Sequence, residues 1–219
     1  MLSVTPAAAL AISAVLAYFI GGLPFGYWFV RLSSGKDIRT LGSGNIGATN
    51  VHRTLGRKAG VVVLVLDILK GFVAVWLAGL LTHGDPVALA VSALAVMLGH
   101  CYPMLLHFHG GKAVACFVGA FLYLAPLSLA VIAVVFVAVV ALTKYISLAS
   151  IIGALLFPFA VWLITRPAQP ILIASIAAAL LIVYRHKANI SRLRAGKEHL
   201  FSIKGGQAAR GATQRGNPA

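Results

Sequence analysis

The sequence predicts an all-α integral membrane protein of about seven transmembrane helices, with a periplasmic N-terminus and a cytoplasmic C-terminus. Three observations carry this. Of 219 residues, 60% are hydrophobic and 10% charged, where a soluble domain carries roughly 25% charged residues. The apolar residues fall into runs long enough to cross about 30 Å of hydrocarbon. Eighteen Lys and Arg stand against four Asp and Glu, a formal net charge of +14, and they lie between the runs rather than on one soluble face. That placement favours positive-inside topology and an anionic ligand over nucleic acid as a partner.

The first run, about 6–30, has no basic n-region and reads as a transmembrane helix rather than a removed signal peptide. Gly21, Gly22, Pro24 and Gly26 interrupt its second half, where a kink or a close helix approach is expected. A polar loop through Lys58 follows. The second run covers about 59–81, and Thr82–Pro86 is a short turn without Lys or Arg. The third, about 87–106, ends at His107–Lys112. Residues 113–142 would make a helix of about 45 Å at ~1.5 Å per residue, so Pro126 is expected to divide them into two short helices. A run over about 146–164 is expected to break at Pro158, and the last spans about 171–184. With seven segments, Lys112, Lys144 and the basic C-terminal stretch share a side with the Arg31–Lys58 loop; with six, the stretch would fall outside, against the positive-inside rule. Residues 1–201 are expected to form a single transmembrane domain. Residues 202–219 form a basic, Gly- and Ala-rich tail that cannot bury a core and is expected to be disordered.

Polar residues concentrate in three clusters, which this topology places on the cytoplasmic side. In the first, Gly42, Gly44 and Gly47 allow φ > 0 and can aim backbone N–H groups at one point, while Ser43, Asn45, Thr49, Asn50 and Arg53 add donors. It matches a dinucleotide fingerprint as text, but no strand or βαβ unit accompanies it. In the second, Gly110 and Gly111 permit a tight turn and Lys112 falls near a helix start, a setting that favours anions. His107 and His109 read as interfacial side chains; His100 is either core packing or a substrate contact. In the third, Arg185 and Lys187 look like a basic flank, whereas His186 and Asn189 share a helical face at i, i+3. Ser147 and Ser150 have the same spacing. Asp67 and Lys70, also i, i+3, read as an internal ion pair. Cys101 and Cys116 read as packing. There is no HExxH motif, no Cys/His spacing and almost no acidic ligand, so neither a metal nor another cofactor is expected. A reaction run here should use a preactivated electrophile, with cations and N–H groups stabilising phosphate charge.

Leu23–Gly26, Asp37–Arg39, Gly42–Arg53, Gly99–Pro103, Gly110–Lys112 and Arg185–Ile190 resemble, in that order, the bacterial acyl-phosphate:glycerol-3-phosphate acyltransferases over roughly residues 15–200. The resemblance implies a seven-helix, metal-independent enzyme of the bacterial inner membrane whose active site faces the cytoplasm. Acyl phosphate would be the donor, glycerol 3-phosphate the acceptor and lysophosphatidic acid the product, a phospholipid precursor. Membrane lipids surround it and no protein partner is evident. It implies Ser43, Arg53, Lys112, His186 and Asn189 as catalytic residues. It also implies Thr49, Asn50 and Ser150 as substrate-binding residues, to which the reading of the clusters adds Gly42, Gly44, Asn45, Gly47, Gly110 and Gly111. Ala113 and Cys116 stand where the family usually shows glycine and threonine, His107 and His109 where lysine or arginine is usual, and Ala188 where glutamate is common. A helix start needs no positive φ, so the extra Cβ at Ala113 is expected to be harmless. The rival readings are a transporter of phosphorylated anions and an acyltransferase using acyl-CoA or a carrier protein. The short, cation-free outer turns argue against the first, and the scant docking surface against the second.

Overall fold

The computed structural model describes residues 5–202, and every regular element among them is helical; the tail expected to be disordered lies outside the described residues beyond Ser202. In chain order the helices are α1 (Pro6–Gly21), α2 (Phe25–Ser34), α3 (Ala48–Leu55), α4 (Arg57–Leu81), α5 (Pro86–Cys101), α6 (Val114–Leu124), α7 (Pro126–Thr143), α8 (Ile146–Ala160), α9 (Gln169–Arg185) and α10 (Lys187–Arg194). They form two compact units. One takes the chain up to Leu23 and again over Asp67–Phe201; the other contains Pro24–Leu66.

Prolines set several boundaries. Pro24 separates α1 from α2, because it has no N–H to donate and holds the preceding residue out of the helical region. Asp85 caps α5, its carboxylate accepting the Ala88 N–H at 2.8 Å, with Pro86 in the first turn where a missing N–H costs nothing. Pro103 ends α5 at Cys101 and leaves a 3-10 turn over Met104–Leu106, so the expected run to residue 106 is not one α-helix. Pro126 divides α6 from α7 as expected. Pro158 does not stop α8. The helix continues through it into a π-helical turn over Val161–Thr165, where the Arg166 N–H reaches the Val161 carbonyl. Ser128 on α7 braces that turn, donating to the Ala160 carbonyl at 3.0 Å.

Among the described residues, five helical segments are long and apolar enough to cross a membrane: Pro6–Ser34, Arg57–Leu81, Pro86–Leu106, Pro126–Thr143 and Ile146–Thr165. A sixth is obtained if α9 and α10, bent by 56°, count as one span. α6 has 11 residues, about 16 Å of helix at ~1.5 Å per residue, half of what a ~30 Å core requires. Large apolar side chains face outward, Leu142 with 85% of its surface exposed, as suits lipid contact. Lipid tails are as apolar as leucine, so helices here gain by close packing rather than by leaving solvent. In the larger unit α1 packs on α5, α5 on α6 and α9, and α8 on α7 and α9. Its centre is an aromatic trio, Phe117, Phe121 and Phe157, with ring centroids 4.7–4.9 Å apart. Elsewhere backbones touch: a methyl built on Gly119 of α6 would lie 1.8 Å from the Ile68 carbonyl oxygen of α4.

Candidate active site

In the smaller unit the glycine-rich loop folds around one side chain. Asn50, in the first turn of α3, is buried; its Oδ1 accepts the Ser43 N–H at 2.9 Å, and its Nδ2 donates to the carbonyls of Leu41 at 2.9 Å and Asn45 at 2.8 Å. Gly42 and Gly44 adopt the left-handed conformation at φ 55° and 70°, as their sequence context requires. Gly47 does not: at φ −78° it caps α3 in extended geometry. Its N–H goes to Asn45 Oδ1 at 2.9 Å, an Asx turn, while the Gly44 N–H goes to the Leu41 carbonyl. For Ser43, Gly44 and Gly47 the expected cradle of backbone donors is therefore corrected. The N–H groups of Ser43, Gly44 and Gly47 hold the loop in shape, and Asn45 and Asn50 do the same. Ser43, Thr49 and Arg53 add side-chain donors to the loop. Thr49 and Arg53 lie at i, i+4 on α3, one above the other. Nearby, Arg39 binds Asp37 at 2.6 Å, and that hydrogen bond first, then further contacts with the guanidinium, holds the Asp37 carboxyl below its ordinary pKa against the opposing effect of burial.

The larger unit brings the second and third clusters together. Lys112 Nζ donates to Asn189 Oδ1 at 2.5 Å. The Asn189 amide is oriented from its other end: Nδ2 donates at 2.7 Å to Glu198 Oε1, which also accepts from Ser147 Oγ at 3.0 Å, while Glu198 Oε2 takes Arg192 Nε at 2.7 Å. Burial alone would raise the Glu198 pKa. Hydrogen bonds from Asn189, Arg192 and Ser147 outweigh it, and the net shift is downward, so the carboxylate stays ionised. His186 is buried at the bend between α9 and α10, and its Nδ1 donates to the Ile182 carbonyl at 2.8 Å. A carbonyl can only accept, so the proton sits on Nδ1 in the neutral ring and Nε2 keeps its lone pair. Asn189 lies in the first turn of α10, so the i, i+3 pair spans a bend and not one straight helical face. Ser150 donates to its own helix, at the Ile146 carbonyl, and Ser147 rather than Ser150 joins the network.

Gly110 and Gly111 also differ from expectation. Their N–H groups donate to the carbonyls of Cys101 and His100, at 3.1 and 2.9 Å, and do not face an anion. Neither position tolerates a side chain, since a Cβ would lie 2.2 Å from the His100 carbonyl oxygen and 1.9 Å from His100 Nε2, respectively. His100 is thus core packing behind the loop, and His107 and His109 are exposed. Ala113 overturns the expectation of a harmless Cβ: it caps α6 at φ 60°, the left-handed region that favours glycine.

Asp67 and Lys70 form the expected buried pair, 2.8 Å apart, and Lys70 Nζ also donates to the Leu23 carbonyl at 2.8 Å. Cys116 and His100 stand beside Asp67, their potential ligand atoms all within 4.8 Å of one another. A cation there would have to displace the ammonium already against the carboxylate. Sequence reasoning missed Glu198, although a carboxylate in a chain with only four acidic residues was itself a signal, and it read Arg185 as no more than a flank.

Residues 11–196 match the family described as glycerol-3-phosphate acyltransferase. A glycerol-3-phosphate acyltransferase of Geobacter sulfurreducens is 46% identical over 187 residues, 85% of this chain and 94% of the relative. One from Fusobacterium nucleatum is 41% identical over 191 residues, 86% and 96% of the two chains. Among solved structures, the glycerol 3-phosphate form of the integral membrane glycerol 3-phosphate acyltransferase PlsY (YgiH) superposes with a TM-score of 0.83 at 37% identity, covering 88% of this chain and 96% of that one. Its lysophosphatidic acid form gives 0.80 at 35% identity.

Proposed function

This chain belongs to the glycerol-3-phosphate acyltransferase family, and from that premise we propose that it transfers an acyl group from acyl phosphate to a hydroxyl of glycerol 3-phosphate. The products are lysophosphatidic acid and inorganic phosphate, and the reaction feeds phospholipid synthesis. The observation that carries this is the Lys112–Asn189 contact, which joins two clusters far apart in sequence into one cationic, hydrogen-bonded group. The glycerol 3-phosphate and lysophosphatidic acid forms of the solved relative support the acceptor and the product.

The acceptor hydroxyl oxygen attacks the acyl carbonyl carbon and forms the ester. The bond from that carbon to the bridging oxygen breaks, and phosphate leaves with the electron pair. Charge grows on phosphate oxygens, where a fixed ammonium or guanidinium helps most. Lys112 and Arg53 take that role, with Ser43 and Thr49 as hydroxyl donors on a loop that Gly42, Gly44, Asn45, Gly47 and Asn50 hold in shape. His186 and Asn189 orient the acceptor, with Ser150 as a further substrate-binding residue. The hydroxyl proton passes to a substrate phosphate, in keeping with the scarcity of carboxylates; His186 Nε2 is the alternative acceptor. The enzyme crosses the bacterial inner membrane seven times, N-terminus out and C-terminus in, with the reaction on the cytoplasmic side.

The test uses purified, reconstituted protein with radiolabelled glycerol 3-phosphate and either acyl phosphate or acyl-CoA. Labelled lysophosphatidic acid should appear with acyl phosphate alone. Lys112→Ala and Arg53→Ala should each lower kcat/KM by about a hundredfold or more in protein that remains folded. Equal turnover with acyl-CoA would overturn the donor, and no lipid product from either would favour transport.

A further inference from the structure

We propose that Arg185 is a positioning residue for Lys112. It clamps the Gly110–Gly111 backbone from the α9–α10 bend and so sets where the lysine ammonium meets a substrate phosphate. The inference rests on the reading of Lys112 given above.

The geometry is that of a two-sided vice. On one side the N–H groups of Gly110 and Gly111 are taken by the carbonyls of Cys101 and His100 at the end of α5. On the other, both of their carbonyls are taken by a single guanidinium: Arg185 Nε donates to Gly111 O and Arg185 Nη2 to Gly110 O, each at 3.0 Å. All four backbone polar groups of the two glycines are thus held, immediately before Lys112. Two successive carbonyls suit a planar, forked donor and not a point charge. The fork is itself fixed, because Arg185 lies over the Tyr102 ring at 4.8 Å and the Tyr102 carbonyl accepts the Tyr18 hydroxyl at 2.7 Å. A basic residue that only anchored the end of a transmembrane helix would point its charge toward lipid headgroups or water. This one turns back onto a loop.

The consequence is a registration between clusters. Arg185 precedes His186 by one residue and Asn189, across the bend, by four, and Asn189 Oδ1 receives the lysine ammonium. The α9–α10 bend therefore grips the lysine segment at both ends, by its backbone through Arg185 and by its side-chain tip through Asn189. Removing the guanidinium leaves Lys112 chemically intact but less firmly positioned, which should weaken phosphate binding before it affects chemistry.

The experiment compares wild type, Arg185→Ala, Arg185→Lys and Lys112→Ala, measuring kcat, KM for acyl phosphate and for glycerol 3-phosphate, and thermal midpoint in detergent. Both Arg185 variants should raise KM for at least one substrate about tenfold while their midpoints stay close to wild type. Lysine should rescue little, because it cannot span both carbonyls. Added guanidinium ion should restore Arg185→Ala in part, methylammonium should not, and neither should restore Lys112→Ala. Wild-type KM values in folded Arg185→Ala, or losses that track only the amount of folded protein with no guanidinium recovery, would overturn the proposal. Should Arg185→Ala fail to fold, Arg185→Lys decides: a raised KM at a normal midpoint supports the clamp, and an unchanged KM refutes it. Wild-type turnover in Lys112→Ala would instead remove the functional reading on which the clamp rests.

Discussion

A carboxylate that accepts three hydrogen bonds gives up its proton readily, and Glu198 does so while buried. Its folded-state pKa lies below the ordinary value of 4.5. The stability it contributes is therefore complete above that value and is lost as pH falls through the lowered one. Glu198→Gln should cost about 1–3 kcal/mol at neutral pH, because Ser147, Asn189 and Arg192 lose a charged acceptor. It should also flatten the acid limb of stability, which thermal melts across pH would show. Ala113 offers the opposite case, a residue less suited to its backbone than the alternative. A left-handed φ costs an L-residue about 1–2 kcal/mol, partly offset in glycine by about 0.4–1 kcal/mol of extra freedom in the unfolded chain. Ala113→Gly should raise the thermal midpoint, with no loss of turnover. The partners of Glu198 and the φ of Ala113 were not legible in the sequence, since both come from tertiary contact.

At the scale of elements, α4 and α6 cross with backbone against backbone. A methyl at Gly119 would meet the Ile68 carbonyl oxygen at 1.8 Å, and one at Gly71 the Cys116 carbonyl oxygen at 2.3 Å. Gly119→Ala should force the helices apart at a cost of about 1–3 kcal/mol. Turnover should fall with it, because α6 continues directly from Lys112 and Ala113. At Gly153 a methyl would meet only Ile132 Cγ2, at 3.3 Å, so Gly153→Ala should be nearly neutral in the same melts and assays. The helices themselves were largely legible: apolar runs and prolines located α4, α6, α7 and α9 to within a few residues. Pro103 and Pro158 were not read correctly. One ended α5 early, and the other was absorbed by a π-helical turn braced from α7, a compensation available only where a neighbouring helix supplies a donor.

For the whole molecule, the count of crossings decides which side each end occupies. Among the described residues, composition and length identify five spans, or six with the bent α9–α10 pair, and α6 is too short to cross alone. A seven-crossing chain with its C-terminus inside requires α6 to pass between the faces with help from its flanking turns or a locally thinned bilayer. A C-terminal green fluorescent protein fusion should then fluoresce and an alkaline phosphatase fusion at the same point should be inactive. The reverse pattern would remove the proposed topology.

Composition, apolar run length and the order of the three clusters determined by themselves that this is a helical membrane protein and which acyltransferase family it resembles. Those features are local and additive along the chain, so no contact is needed to read them. Tertiary structure alone decided what each polar group faces. It turned the glycine N–H groups inward as scaffolding, made Asn50 the centre of its loop, recruited Glu198 behind Asn189 and aimed Arg185 at Gly110 and Gly111. In a low-dielectric interior a polar group must be satisfied by whatever lies beside it, and which group lies beside it is a property of the fold.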